Sequence, residues 1–300
     1  MLDKLATRLL ASAAMDVDAL PESLDALFSG REPDADLPAP VAQQKKRQVR
    51  EFYDKINDSL SASIYADDAT FFNFGYLPDE HPRSARIELP PHWPNRNRMD
   101  LVLELIGNCD LDDCDILDVG CGRGGTILTI DRFFAAGEIW GLDLSPSAML
   151  FCQRRNKNPD IHFVNGESER LPFLDGFFDV VVNVESSCLY PDIYAFYREV
   201  ERVLGPGGRF LYTDLLPVEH MESYLSCLRG LGFTLERDQD ITPNVLLSLG
   251  SYAKRNLEVH SAPAGKEVME FFLATPGSKP YRDLQEGRLS YRIWQLRKGD

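Results

Sequence analysis

Apolar residues along the 300-residue chain follow two periods. Between residues 114 and 213, short runs that are apolar at nearly every position alternate with stretches of helical spacing. The runs 115–119, 138–143, 161–165, 178–183 and 208–213 predict strands buried on both faces. The stretches 125–136, 146–156, 191–203 and 219–230 predict helices between them. Such alternation predicts a parallel sheet covered by helices on both sides. Further on, 233–238 reads as a strand and 243–258 and 265–273 as helices. Leu289–Leu296 (LSYRIWQL) alternates as a final strand.

The first hundred residues are patterned differently. Leu2, Leu5, Leu9, Leu10 and then Leu20, Leu24, Leu27 fall at helical spacing, so 1–29 predicts one or two short amphipathic helices. Residues 30–40 hold Pro33, Pro38 and Pro40 with no usable period and read as a linker. A helical pattern runs from 41 to about 65 through Phe52, Tyr53, Ile56 and Leu60. An aromatic run, Phe71 to Tyr76, is followed by a proline-rich loop carrying His81 and His92, and by a helix over about 96–108.

Charge narrows the function. Lys and Arg number 32 against 47 Asp and Glu, a net charge of −15. Nucleic acid is excluded as a substrate class, because a phosphate backbone needs clustered cations. The Lys45-Lys46-Arg47 cluster with Arg50 lies in a helical pattern and reads as a solvated helix face. The arm 1–40 carries 8 acidic and 3 basic residues. It is either an acidic docking or homo-oligomerisation arm or an extension without a role. The six cysteines form no C-x-x-C pair and no zinc spacing, which implies reduced thiols in the cytoplasm and no metal site. The first twenty residues imitate a secretory signal only loosely, since Asp3, Lys4 and Arg8 interrupt the apolar stretch. No run reaches the ~18 apolar residues of a membrane span.

The most informative segment is Ile116-Leu-Asp-Val-Gly-Cys-Gly-Arg-Gly-Gly125. A strand enters a glycine turn and a helix follows, so unpaired helix N–H groups face a ligand. Gly120, Gly122 and Gly125 satisfy G-x-G-x-x-G, a dinucleotide pattern. Asp143 closes the second strand 23 residues after Gly120, where a carboxylate can accept from ribose hydroxyls. It serves NAD and S-adenosylmethionine alike. Asp118 discriminates. A carboxylate inside the first strand is costly to bury unless something pairs with it. An anionic pyrophosphate has no use for it, whereas the amino group of S-adenosylmethionine does, directly or through water.

With these residues in view, the chain resembles the class I S-adenosylmethionine-dependent methyltransferases. ILDVGCGRGG looks like their first motif and IWGLDLSPSAM (139–149) the next. VNGESERLPF (164–173) looks like the segment after the third strand, with Glu167 where the family usually has Asp near the adenine. FFDVVVNVESSCLYPD (177–192) and YREVERVLGPGGRFLYTDL (197–215) look like the fourth strand and the helix–turn–fifth strand. The resemblance implies a Rossmann-like α/β fold with a seven-stranded, mostly parallel sheet and an antiparallel last strand. It implies S-adenosylmethionine as cofactor and S-adenosylhomocysteine as product. Asp118, Gly120, Cys121, Gly122, Asp143, Leu144, Glu167, Ser168 and Asn183 would line the cofactor.

A narrower resemblance is to bacterial lipid and polyketide methyltransferases, such as the phthiotriolone dimycocerosate O-methyltransferases. Those often show NVEASHCYP, where this chain has Cys188 in place of the histidine. The segment from Phe52-Tyr53-Asp54 to Phe74-Gly75-Tyr76 is similar to the lid of the sterol and cyclopropane-fatty-acid methyltransferases, which implies that Tyr53 and Tyr76 approach the cofactor. The organisation is then an acidic arm and linker (1–40), a helical lid (41–110), and a core (111–300) with a helical cap insertion at about 216–285.

The implied function is methyl transfer to a hydrophobic natural-product or lipid-like small molecule, most readily at oxygen, with carbon or nitrogen as alternatives. An NAD-dependent oxidoreductase and a non-catalytic cofactor binder are competing readings. A high-pKa oxygen nucleophile benefits from a general base. Candidates are Glu185, at the exit of the fourth strand, and His81 and His92, on the loop before the core. Glu185 is either a substrate-facing base or an ion-pair partner at a helix start.

Overall fold

The computed structural model describes residues 38–62, 67–78, 87–256 and 274–300. The 1–29 helices, most of the linker, His81 and the 265–273 helix lie outside the described residues.

Helices α1 (Ala39–Ser61) and α2 (Arg96–Ile106) precede the sheet. The core then runs β1 (Ile116–Val119), α3 (Gly125–Phe133), β2 (Ile139–Asp143), α4 (Pro146–Arg155), β3 (Ile161–Asn165), β4 (Phe178–Val184), α5 (Ile193–Val203) and β5 (Leu204–Pro217). It closes with α6 (Met221–Gly230), β6 (Phe233–Asp240), α7 (Thr242–Asn256), α8 (Lys279–Gln285) and β7 (Leu289–Lys298). The seven strands lie in the order β3-β2-β1-β4-β5-β7-β6. β1 to β5 pair in parallel, and β7 runs antiparallel to both of its neighbours. This is the doubly wound sheet with an antiparallel last strand that the alternation and the resemblance imply.

The near-continuous apolar strands are explained by burial on two sides. Ile116, Val180, Val182 and Leu211 face one layer with Leu105, Ile130, Met149 and Val245 of the helices. Leu117, Val119, Val181 and Phe210 face the other, against Phe196, Val200 and Leu228. Each such side chain contributes about 1.5–3 kcal/mol on burial. Local signals start the helices. Ser145 Oγ accepts from Ala148 N–H at 3.1 Å with Pro146 in the first turn of α4, and Asp192 accepts from Ala195 N–H at 2.8 Å at the start of α5.

β5 is longer than the 208–213 run. Leu204 pairs with Phe178, and pairing resumes at Arg209 with Val180, so the Gly-Pro-Gly-Gly turn is absorbed as an irregularity in the strand. The 216–285 stretch is not all cap. β6 completes the sheet edge and α6 packs on a sheet face, whereas α7 meets the aromatic segment through Asn244 Nδ2 to Leu77 O (3.1 Å) and Ser248 Oγ to Phe74 O (2.9 Å).

The order reverses between β1 and β4, and the carboxyl ends of these strands form the crevice where open α/β sheets bind ligands. One buried ion pair ties α2 to the sheet edge. Arg237 Nη2 donates to Glu104 Oε1 at 2.6 Å and Nη1 to the Glu104 carbonyl at 2.7 Å, with the Glu104 side chain 1 % exposed. Removing one partner strands the other's charge in low dielectric. Arg237→Ala is expected to cost about 3 kcal/mol in urea denaturation, and Arg237→Met with Glu104→Met to recover most of that loss.

Candidate active site

The glycine loop is forced by its own packing. Gly120 (φ +74°) and Gly122 (φ +52°) occupy left-handed backbone. A Cβ at Gly120 would collide with the Ser186 side chain, so the turn admits no larger residue. Behind it, Asp118 in β1 is 1 % exposed and its Oδ2 has no hydrogen-bond partner. Burial, helped by the nearby Asp143 charge, pushes its carboxyl up to about 8. An orphaned buried carboxylate at the base of a ligand loop fits a cationic amino group, and it does not fit a pyrophosphate.

Asp143 closes β2 at the cavity wall. Its Oδ2 accepts from Gly122 N–H (2.9 Å) and its Oδ1 from Ser145 N–H (2.8 Å). Each carboxylate oxygen keeps a further lone pair for ribose hydroxyls. Burial raises this acid also, against the pull of those N–H groups.

These strand ends open on a cavity whose empty space, counted with the open solvent at its mouth, is about 1020 Å³. Gly120, Cys121, Gly122, Asp143, Leu144, Glu167, Ser168, Tyr53 and Glu185 all line it. Four expected residues do not: Asp118, buried in β1 behind the glycine turn, is the first of them. Asn183 is fully buried behind the wall, its Nδ2 donating to Val119 O (2.9 Å) and Ser186 Oγ (2.7 Å), so it braces the turn after β4. Tyr76 is 3 % exposed and packs into the core between the aromatic segment and the helices. His92 is exposed beside Trp93, which stacks on Phe133 at the end of α3 farthest from the glycine loop. A nine-residue helix is about 13.5 Å long, and His92 does not line the cavity.

The roof of the cavity is α1. Lys46, Val49, Tyr53 and Asn57, spaced 3, 4 and 4 apart, share one helical face and line the cavity. Lys46 Nζ bridges Glu167 Oε2 (3.0 Å) and Glu169 Oε2 (2.5 Å). Burial alone would lower the ammonium's pKa, but the two glutamates outweigh it and raise it. Lys45 is also buried. The basic cluster is therefore not a solvated face at these two positions. Asp54 takes Ser145 Oγ (2.5 Å) and Ser147 Oγ (3.0 Å). Arg123, from the glycine loop itself, donates to Ala69 O (2.5 Å), Asn57 O (3.2 Å) and Ser61 Oγ (3.1 Å). Glu169, Arg123 and Asp54 were not legible as site residues. The 46/49/53/57 spacing was the available signal for the roof.

Glu185 follows β4 with φ +49°, an unusual backbone for a side-chain-bearing residue, of the kind that clusters at functional sites. Its Oε1 accepts from Phe74 N–H (2.6 Å) and from the Tyr291 hydroxyl. Burial pushes its carboxyl up to about 8, although both donors pull it down. Cys188 stands apart from this. Its N–H donates to Asp214 Oδ2 (3.1 Å), and burial together with Asp214 holds its thiol well above the ordinary range. Among the described residues, no cluster of His, Cys, Asp or Glu is placed to hold a metal. No helix among them is long and apolar enough to cross a membrane.

A glycine loop with an orphaned acid beneath it, an acid at the end of β2 and a cavity roofed by α1 fit an S-adenosylmethionine-dependent methyltransferase. Comparison with known proteins agrees. Residues 117–212 match the model of the methyltransferase domain family. The chain is 33 % identical over 246 residues to the phthiotriol/phenolphthiotriol dimycocerosates methyltransferase of Mycobacterium tuberculosis, covering 80 % of this chain and 89 % of that protein. It is 32 % identical over 265 residues to the fatty-acid O-methyltransferase of Mycolicibacterium smegmatis, covering 85 % and 90 %. The fold matches the crystal structure of the [4+2]-cyclase SpnF with a TM-score of 0.65 at 22 % identity, over 85 % of this chain and 96 % of that one. The chain belongs to the methyltransferase family that includes the phthiotriol/phenolphthiotriol dimycocerosates methyltransferases. The choice between NAD and S-adenosylmethionine, open on the glycines alone, falls to the latter.

Two outcomes test the cofactor half of the site. Asp143→Ala is expected to weaken S-adenosylhomocysteine binding at least about tenfold by calorimetry, a loss of about 1.4 kcal/mol. Asp118 holds a proton in the folded, ligand-free protein that the unfolded chain releases near its ordinary value of 3.8. Stability contributed by that proton is lost as pH rises from about 4 through about 8. Asp118→Asn should therefore flatten the fall of the urea midpoint over that window, and a slope equal to that of the parent protein would contradict the assignment.

Proposed function

We propose that the protein O-methylates a hydroxyl group of a hydrophobic, lipid- or polyketide-like small molecule, with Glu185 as general base. The observation that carries this is the Glu185 carboxyl: it lines the cavity, with two donors on Oε1. Val49, Tyr53, Phe72, Val184, Leu189 and Pro191 supply an apolar wall around it. The phthiotriol/phenolphthiotriol relative and the fatty-acid relative support an apolar acceptor.

S-adenosylmethionine supplies the methyl group as a sulfonium electrophile and keeps the S–CH3 bonding pair as a thioether, so no acid is needed for the leaving group. The chain's own work is alignment, exclusion of water and proton removal. Glu167, Ser168, Leu144, Asp143 and Asp118 would hold the cofactor; Tyr53 and the rest of α1 shut the cavity from above. Glu185 Oε2 takes the hydroxyl proton as the O–CH3 bond forms. A carboxyl near pH 8 suits this, because a base of raised pKa draws a proton from an alcohol or phenol better than an ordinary carboxylate does.

The aromatic rings of Tyr53 and Phe72, 6.0 Å apart beside Glu185, favour one second reading, C-methylation through a cation held over aromatic faces. The division proposed is an acidic arm and linker (1–40), a docking or self-association arm or an extension without a role, then a lid (41–110) and a core (111–300) with a cap insertion at about 216–285. Six free cysteines support a cytoplasmic setting.

A panel of long-chain alcohols, phenols and fatty acids with radiolabelled S-adenosylmethionine tests the reading. Label is expected on hydroxyl oxygens, and transfer to carboxylates alone would overturn it. Glu185→Gln should lower kcat at least about a hundredfold while S-adenosylhomocysteine affinity stays within about twofold.

A further inference from the structure

Glu185 is held from a distance. Its carboxyl is gripped by Phe74, 111 residues upstream, and by Tyr291, 106 residues downstream, and both donate to the same oxygen, Oε1. Tyr291 sits in β7 opposite Leu215 and is fully buried. Its backbone is pinned on both sides: its N–H donates to Thr242 Oγ1 (2.8 Å), and its carbonyl accepts from Ile241 N–H (2.9 Å) at the start of α7. Phe74 is pinned equally. Ser248 Oγ donates to its carbonyl (2.9 Å), and its ring lies 6.4 Å from that of Tyr291. The ladder on one side and the start of α7 on the other fix the backbone from which the phenol reaches Glu185.

We propose that Tyr291 is the positioning residue of the catalytic carboxyl, occupying Glu185 Oε1 together with Phe74 N–H so that Oε2 alone is presented to the acceptor's hydroxyl. This rests on the reading of Glu185 as base. The geometry carries it further, because two strong donors on one carboxylate oxygen direct an incoming proton to the other. The arrangement also requires the phenol to remain a donor. Burial and the neighbouring Glu185 charge hold it well above its ordinary value, so it does.

The titratable and charged groups around Glu185 come from every element packed against it. They are Tyr291 on β7, Asp214 on β5, Arg98 on α2, Cys188 in the turn after β4 and Tyr53 on α1. Asp214 opposes ionisation and Arg98 favours it. Tyr291→Phe removes a donor to the ionised form at constant shape. The carboxyl must then titrate higher and rotate more freely.

Carbon NMR of protein enriched in [5-13C]glutamate reads this without an acceptor. The Glu185 resonance is the one that vanishes in Glu185→Gln. In the S-adenosylhomocysteine complex, Tyr291→Phe is expected to raise its midpoint by at least about half a pH unit. With a hydroxyl acceptor from the panel above, kcat at pH 7 should fall at least tenfold. The acid limb of the rate profile should move up by the same shift, KM for S-adenosylmethionine should stay unchanged, and part of the loss should return by pH 9. In the Glu185→Gln background the tyrosine change should have no further effect on kcat. An unmoved resonance and an unmoved acid limb overturn the positioning role while leaving the base intact. Full turnover by Glu185→Gln overturns the base itself. The undiminished thermal shift of Tyr291→Phe with S-adenosylhomocysteine certifies that the variant is folded.

Discussion

A buried acid with one oxygen unpartnered beneath a glycine loop keeps its proton in the empty protein and ionises only against the cost of burial. Asp118 is buried in a strand whose every residue is buried, and no protein donor reaches its Oδ2. The loop above it must be glycine because Ser186 and Phe72 come close, so no side chain can be recruited to help. Ionising Asp118 calls for a cationic group or a hydrogen-bond donor, and the strand around it supplies neither to that oxygen. The sheet sets Asp118 and Asp143 on neighbouring strands, and α1 roofs the cavity that Asp143 lines.

The roof is fastened by the same loop it covers. Arg123 lies between the two cofactor-facing glycines and the helix, yet its guanidinium points away into α1 and the 67–78 segment, stacked 3.4 Å from the centroid of Phe151. Burial lowers this cation to about 10, and carbonyl oxygens hold it. Lys46 fastens the opposite end of the same helix to Glu167 and Glu169. Glu167 thus faces two demands: it lies on the cofactor's wall, and it anchors the roof. A longer arm than aspartate's serves both, which gives a physical reason for glutamate at that position.

The fold was readable because its period is local. Alternating apolar runs and helices, the glycine turn and Asp143 at the end of a strand all declare themselves within a few residues. What stayed hidden depends on contacts across the chain. Asn183 sits one step inside the carboxyl edge, and nothing nearby in the sequence distinguishes a residue lining the wall from one bracing it from behind. Tyr76 and Tyr53 look alike in an aromatic segment; the helical face of α1 turns one inward, and the packing of the segment on α2 buries the other. His92 reads as a candidate base from its place on the loop before the core, and only the packing of Trp93 against Phe133 shows where that loop runs. Tyr291 belongs to a plainly alternating strand, but which side chain that strand delivers to Glu185 is a matter of register.

β7 is the last strand in chain order, yet it lies between β5 and β6 rather than at an edge. Those two strands share no ladder with each other, so β6 joins the sheet only through the chain's last strand. Pairing between such distant segments is slow to form. Loss of this one strand would detach β6 from the sheet and the Tyr291 hydroxyl from Glu185 together.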